Sequence, residues 1–227
     1  MENNTLTFEN LKHVMIDTET LGLTPGCIVR TVSLVEFNPL TGNTGRRQTW
    51  VINLQDSIKA GFKVEAGTLK WWMMKTDAAR KAFVSTPEEE TSLVSFVSEF
   101  VEWFKPYGGK VALWALQADF DPAMIRPYLA YYYMHIMRND DYSVPWNRKL
   151  IFEVRPFIEI YRSEHPEIQT PHNSMDDCLM QINAVTELIK TADEVMLGHG
   201  KSLLSELAKL DIYQLMVSGV RIANVQP

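Results

Sequence analysis

The chain has 227 residues, 46% of them hydrophobic and 22% charged, with a formal net charge of −6. That is enough for one domain with its own core. The acidic balance argues against gripping a long duplex through many Lys and Arg contacts to phosphates, although bound cations could supply positive charge for a few terminal nucleotides. There is no apolar run of roughly 18 residues, so no membrane helix is expected. The Met1–Thr5 segment is polar and lacks a basic-then-apolar leader. Cys27 and Cys178 stand alone, outside any CxxC spacing, as expected of a reduced, cytoplasmic protein.

In chain order, His13–Ile16 is a short apolar run that reads as a buried strand. Ile28–Phe37 and Gln48–Leu54 are β-rich and flank the turn cluster Asn38-Pro39-Leu40-Thr41-Gly42, which predicts an antiparallel hairpin. Leu69, Trp72, Met73, Thr76 and Phe83 then fall on one face of a helix expected from about 65 to 84. A second helix opens at Pro87-Glu88-Glu89-Glu90, with Leu93, Phe96, Val97 and Phe100 as its apolar stripe and acids suited to its first turn.

Lys110–Trp114 reads as a fourth strand, followed by a helix from Pro122 to about Ile136 and a polar loop, Asn139–Arg148. Lys149–Val154 is a fifth strand. A long helix follows Asn173 to about Lys190, with Cys178, Ile182, Val185 and Ile189 on one side, and a last amphipathic helix is expected over about 201–216. Three strands, then helices alternating with two more strands, imply one α/β domain around a mixed sheet.

Asp17-Thr18-Glu19 ends the first strand. Residues two apart on a strand share a face, so the two acids form a ready cation site, although a DxE can also simply open a solvated turn. Asp121 precedes Pro122 at a helix start, where an acid is ordinary capping chemistry, and Asp119 is its neighbouring rival. His172-Asn173-Ser174-Met175-Asp176-Asp177 places a histidine just outside a helix that Asn173 can cap. These clusters lie at the ends of the first strand, the fourth strand and a late helix, which can converge in a mixed sheet. Four carboxylates and a histidine in one cleft are what two-metal phosphodiester hydrolysis requires. The acids hold two cations about 4 Å apart, and a histidine can take the proton of the attacking water near neutral pH.

Asp17-Thr18-Glu19, Phe120-Asp121 and His172 with Asp177 resemble the three exonuclease motifs of the DEDD superfamily, in its histidine-containing branch. That branch includes replicative proofreading subunits, oligoribonuclease and RNase T. The spacing from His172 matches it at Asp177, not at Asp176. More narrowly, His13–Gly22 (HVMIDTETLG), Phe37–Gly42 (FNPLTG), Thr68–Arg80 (TLKWWMMKTDAAR) and His172–Cys178 (HNSMDDC) resemble a group of phage and bacterial 3′–5′ exonucleases. Phage exonuclease A, exonuclease-VIII-like proteins and RNase AS belong to it.

The resemblance implies a ribonuclease-H-like fold, a five-stranded mixed sheet flanked by helices. It implies removal of nucleoside 5′-monophosphates from the 3′ ends of single-stranded DNA or RNA. Two Mg²⁺ or Mn²⁺ ions would be held by Asp17, Glu19, Asp121 and Asp177, with His172 as the base and Thr20 and Leu21 touching the terminal nucleotide. The other readings of Leu21 and of the whole chain are a core side chain, and a nuclease-fold module that binds ends or a partner, or a short-oligonucleotide phosphodiesterase. The likeness runs from about His13 to Lys190, which divides the chain into an exonuclease domain, 1–190, and a helical extension, 191–227. Two departures stand out: Leu116-Gln117-Ala118-Asp119 before the second-motif acid, and Arg30 where an apolar residue is usual.

Trp71 and Trp72 are about 100° apart on a helix, so they face different surroundings. Spacing assigns Trp72 to the core. Trp71 is either buried by a second surface or lines the substrate cleft or a subunit contact, which would admit a homodimer.

Overall fold

The strand β1 (Lys12–Thr20) runs through the middle of the molecule and carries the first two acids in its last turns. The structure is a computed structural model, and it describes residues 7–8, 11–81, 83–139, 143–167, 172–199, 202 and 205. β2 (Val29–Phe37) lies antiparallel to β1, and β3 (Thr44–Val51) antiparallel to β2. On the other side of β1, β4 (Val111–Ala115) and β5 (Ile151–Glu153) add in parallel. The order β3-β2-β1-β4-β5 is a mixed five-stranded sheet, as the sequence implied.

Strand alternation sends β1 side chains to two different cores. Val14 and Ile16 pack with Phe96 and Phe100 of α4 (Leu93–Phe104) and with Met124 and Tyr128 of α5 (Asp121–Tyr131). Met15 points the other way, into a cluster with Ile158 of α6 (Arg155–Glu164) and Cys178, Ile182 and Val185 of α7 (Ser174–Leu197). Burial on both faces explains why the Val14–Ile16 stretch of β1 and all of β4 are apolar rather than alternating with polar residues.

Several boundaries differ from the sequence reading, each for a local reason. The third strand stops at Val51, and α1 (Leu54–Lys59) begins where strand was expected, because the Asn53 side chain accepts the Asp56 N–H at 2.9 Å as a helix cap. The single helix expected over 65–84 is two, α2 (Ala66–Met73) and α3 (Asp77–Lys81). Thr76 breaks it: its hydroxyl accepts from the Ala79 N–H and restarts the helix. Met73 and Leu69, both assigned to the core face, are exposed.

Pro87–Glu89 is only a 3₁₀ turn, and α4 starts at Leu93 under the Ser92 cap. The helix after Asp121 ends in a π-turn, Tyr132–Ile136. The sequence reading missed α6, whose start is marked by Pro156. α7 runs on to Leu197, past the Lys190 end that was expected. Apart from residues 202 and 205, the helix expected over 201–216 lies outside the described residues, as do residues 140–142 of the polar loop. Among the described residues, no helix is long and apolar enough to cross a membrane.

Candidate active site

Asp17 and Glu19 are β1 residues, paired across the sheet with Ser33 and Thr31 of β2. They share the face covered by α7. The N-terminus of α7 is pinned there by Ser174, whose Oγ lies 2.8 Å from Ser33 Oγ and 3.1 Å from Thr31 Oγ1, and Asn173 caps it by accepting from the Met175 and Asp176 N–H groups. The first turn of α7 thereby brings Asp177 to the two strand acids. Carboxylate oxygens of Asp17, Glu19 and Asp177 all lie within 4.8 Å of one another. Asp121 arrives from the opposite face. Thr18, between the two acids and pointing away from them, donates its hydroxyl to Asp121 Oδ1 at 2.7 Å. The end of one strand thus carries acids on both its sides. Asp121 is the first residue of α5 rather than its cap, which falls on Phe120.

All four carboxylates are at most 8% exposed, whereas the rivals Asp119 and Asp176 are open to solvent. Burial and mutual repulsion hold the four far from their ordinary ionisation. Desolvation lifts Asp17 well above the carboxylate range, with the charges of Asp121, Asp177 and Glu19 adding to it and the Gln181 hydrogen bond opposing it. Glu19 is raised to about 8, by burial and then by Asp177 and Asp121. Desolvation raises Asp121 to about 7 and Asp177 to about 6. Four buried acids cannot all carry charge without compensation.

The donor set fits a divalent cation. Asp177 Oδ1 is buried with no hydrogen-bond partner among the described residues, and oxygen-rich carboxylate clusters are what Mg²⁺ and Mn²⁺ select. Gln181 was missed by the sequence reading. It lies one helical turn after Asp177 on the same face of α7, is 1% exposed, and donates from Nε2 to Asp17 Oδ1 at 2.8 Å.

Beside the acids lies a cleft of about 390 Å³, walled by Thr18, Glu19, Thr20, Trp71, Trp72 and Phe120 and edged by Leu23. Thr20 lines it, with its hydroxyl donating to the Gly22 carbonyl at 2.7 Å. Leu21 does not. It is 7% exposed and packs with Ile28, Trp72 and Ala79, which answers to the core reading of that side chain. The apolar side chain standing free at the cleft is Leu23, 66% exposed, two residues further on. A tight turn between them puts Gly22 against Cys27, where a Cβ would lie 2.3 Å from Sγ.

Trp72 is buried, packs on Phe83 and donates Nε1 to the Thr20 carbonyl at 2.9 Å. Trp71 is 42% exposed, which corrects the expectation that a second surface buries it. His172, at the edge of the wall, is partly buried and held below the usual histidine range, by desolvation first and then by the charges of Lys75 and Arg162.

Comparison with solved structures finds this fold in E. coli Exonuclease I. In complex with a dT13 oligonucleotide, that enzyme matches with a TM-score of 0.52 at 12% identity, over 83% of this chain and 43% of the other. In the zinc-bound complex with single-stranded DNA it matches with a TM-score of 0.55 at 13% identity, over 83% of this chain and 42% of that one. This chain therefore spans less than half the length of those proteins. A search of curated proteins finds no match. The model of the Rv2179c-like 3′–5′ exoribonuclease domain matches residues 12–189, from the first residue of β1 to a point within α7, and so takes in all five acid and histidine positions. With most of its length covered by that model, the chain belongs to the Rv2179c-like family of 3′–5′ exoribonuclease domains.

Proposed function

We propose that the chain is a divalent-metal-dependent exonuclease of the histidine-containing DEDD branch, close to the phage-type group, releasing nucleoside 5′-monophosphates from the 3′ ends of single-stranded DNA or RNA. The observation that carries this reading is the packing of Asp17, Glu19 and Asp177 oxygens within 4.8 Å at the mouth of an aromatic cleft. Asp17, Glu19 and Asp177 would hold one Mg²⁺ or Mn²⁺, and Asp121, from the other side of β1, would help hold a second. Bound cations would supply the positive charge that stabilises the attacking and leaving oxygens.

His172 takes the proton of the attacking water. Its lowered pKa keeps it neutral, and so able to accept, at neutral pH. Thr20 and Leu23 line or edge the space for the terminal nucleotide, and Phe120 offers a face on which any base can stack, at about 1–3 kcal/mol, beside the open edge of Trp71. The single-stranded DNA held by the structurally similar Exonuclease I, and the exoribonuclease name of the family, support single-stranded ends as substrate. Both cysteines are free and buried, in keeping with a cytoplasmic setting.

Matched DNA and RNA strands, labelled at the 3′ or the 5′ end and digested with Mn²⁺ and then with EDTA, test the reading. We expect stepwise loss from the 3′ end, 5′-monophosphate products and abolition by EDTA, with the faster polymer identifying the substrate. Digestion that survives EDTA or starts at the 5′ end defeats the proposal.

A further inference from the structure

A base that must be aimed at a water between metal ligands needs something to fix its ring, commonly a carboxylate or carbonyl on the second nitrogen. His172 has none among the described residues, where it makes ring contacts and no imidazole hydrogen bond. Its backbone is left-handed, φ 53°, which is uncommon outside glycine although histidine adopts it more readily than most, and its ring is left to be placed by its surroundings.

Those surroundings are two indole rings. Trp71 meets the imidazole edge-to-face, with centroids 5.0 Å apart and planes at 84°, and Trp72 meets it at 6.1 Å and 78°. The two indoles are themselves T-shaped at 4.8 Å. Trp72 is tied to β1 through the Thr20 carbonyl, one residue beyond Glu19. Lys75 Nζ lies 3.9 Å from the Trp71 ring centroid and braces it by a cation–π contact.

We propose that Trp71 is a positioning residue for His172: its ring, braced by Lys75 and abutting Trp72, holds the imidazole in register with the strand that carries Asp17 and Glu19. The inference rests on the reading of His172 as the base. It also explains why a tryptophan at this place is left 42% exposed. One part of the ring is engaged by the histidine while the rest remains open to the cleft. A side chain that only stacked on substrate would have no reason to lock edge-to-face on the imidazole.

Compare Trp71→Ala and Trp71→Phe with the wild type. Two readouts are needed: kcat and KM on a single strand with Mn²⁺, and the nuclear Overhauser contact between the His172 and Trp72 rings, assigned with His172→Gln. For Trp71→Ala we expect kcat to fall about 10- to 100-fold, as a misplaced group costs. KM should change less, and the His172–Trp72 contact should be lost. Trp71→Phe should recover most of kcat and the contact. A retained His172–Trp72 contact in Trp71→Ala, or a change confined to KM, overturns the proposal and leaves Trp71 as a substrate contact alone. If the wild type proves inactive, the exonuclease reading fails by itself, and the ring contact still decides whether Trp71 holds His172.

Discussion

Single side chains at this site are set by one strand's alternation. Thr18 turns to one face and secures Asp121, while Asp17 turns to the other and is secured by Gln181. Gln181 is 1% exposed, and the hydrogen bond that its Nε2 donates opposes the upward shift of Asp17. Groups that orient a metal ligand typically account for 10- to 100-fold in affinity or rate. Gln181→Ala should therefore weaken Mn²⁺ binding, or lower turnover, by roughly 10- to 100-fold with little change in KM. Calorimetric Mn²⁺ titration beside steady-state kinetics checks it, and an unchanged Mn²⁺ affinity with unchanged turnover would leave Gln181 as packing.

The raised carboxylates also set a pH dependence of stability. Their folded values, about 6 for Asp177, 7 for Asp121 and 8 for Glu19, lie above the unfolded ones near 4, so the folded chain binds more protons across that window. Stability without metal must then fall as pH rises from about 6.5 to 8.5. Below about 6.5 His13 acts oppositely: burial lowers it to about 4, so stability is lost as pH falls toward that value. His165, raised by its bond to Glu187, loses its contribution as pH rises, and so adds to the alkaline slope. A cation held among the four acids would compensate them and leave the buried His13 untouched. Melting temperature should decline between pH 6.5 and 8.5 in EDTA and decline much less with Mn²⁺. Parallel slopes in the two conditions would show that the four acids do not share a cation.

At the level of elements, the segment from Phe83 to Glu90 is held onto β2 by an ion pair whose arginine is buried and whose glutamate is largely so. Arg30 is 1% exposed and reaches the Ile52 and Phe83 carbonyls, the Ser85 hydroxyl and Glu90 Oε1, the last at 2.7 Å. Glu90 also accepts from Asn53, the cap of α1. This network accounts for the arginine in a strand position that the resemblance would fill with an apolar residue: it ties two irregular connections to the sheet. Removing one partner of a buried pair strands the other charge, at about 3–5 kcal/mol, whereas replacing both by apolar groups can be close to neutral. Arg30→Met should lower unfolding stability by that amount, and Arg30→Met with Glu90→Met should recover part of it. Denaturant midpoints of the single and double variants decide, and equal losses in the two would mean the ion pair adds nothing beyond packing.

For the molecule as a whole, the charge of −6 and the confined cleft imply a hold on only a few nucleotides. Single strands release roughly 0.7 counterion per neutralised phosphate, so three contacts give a log–log salt slope of about −2. Binding of a single strand to His172→Ala protein, at constant Mg²⁺ and varied NaCl, should show a slope no steeper than about −3. A slope near −6 would require a long basic track along the surface.

The sequence by itself determined the mixed sheet and singled out the acids that the fold gathers at the end of β1. Apolar runs bounded by turn residues locate strands wherever burial on both faces suppresses alternation, as in His13–Ile16 and Lys110–Trp114. DxE two apart, Phe120-Asp121, and His172 five before Asp177 survive as local spacings, because each sits within one turn or one strand end. The tertiary structure decided what depends on contacts between distant segments. That α7 docks through Ser174 on Thr31 and Ser33, and so brings Asp177 to Asp17, is a relation between residues more than 140 apart, invisible to any window. That Leu23 edges the cleft while Leu21 packs inward follows from the turn that Gly22 makes against Cys27. Which of Trp71 and Trp72 is covered depends on how α2 is tied to β1, through Trp72 Nε1 and the Thr20 carbonyl. Periodicity gives the angle between two side chains on a helix, but the surface that covers each of them is supplied by the rest of the fold.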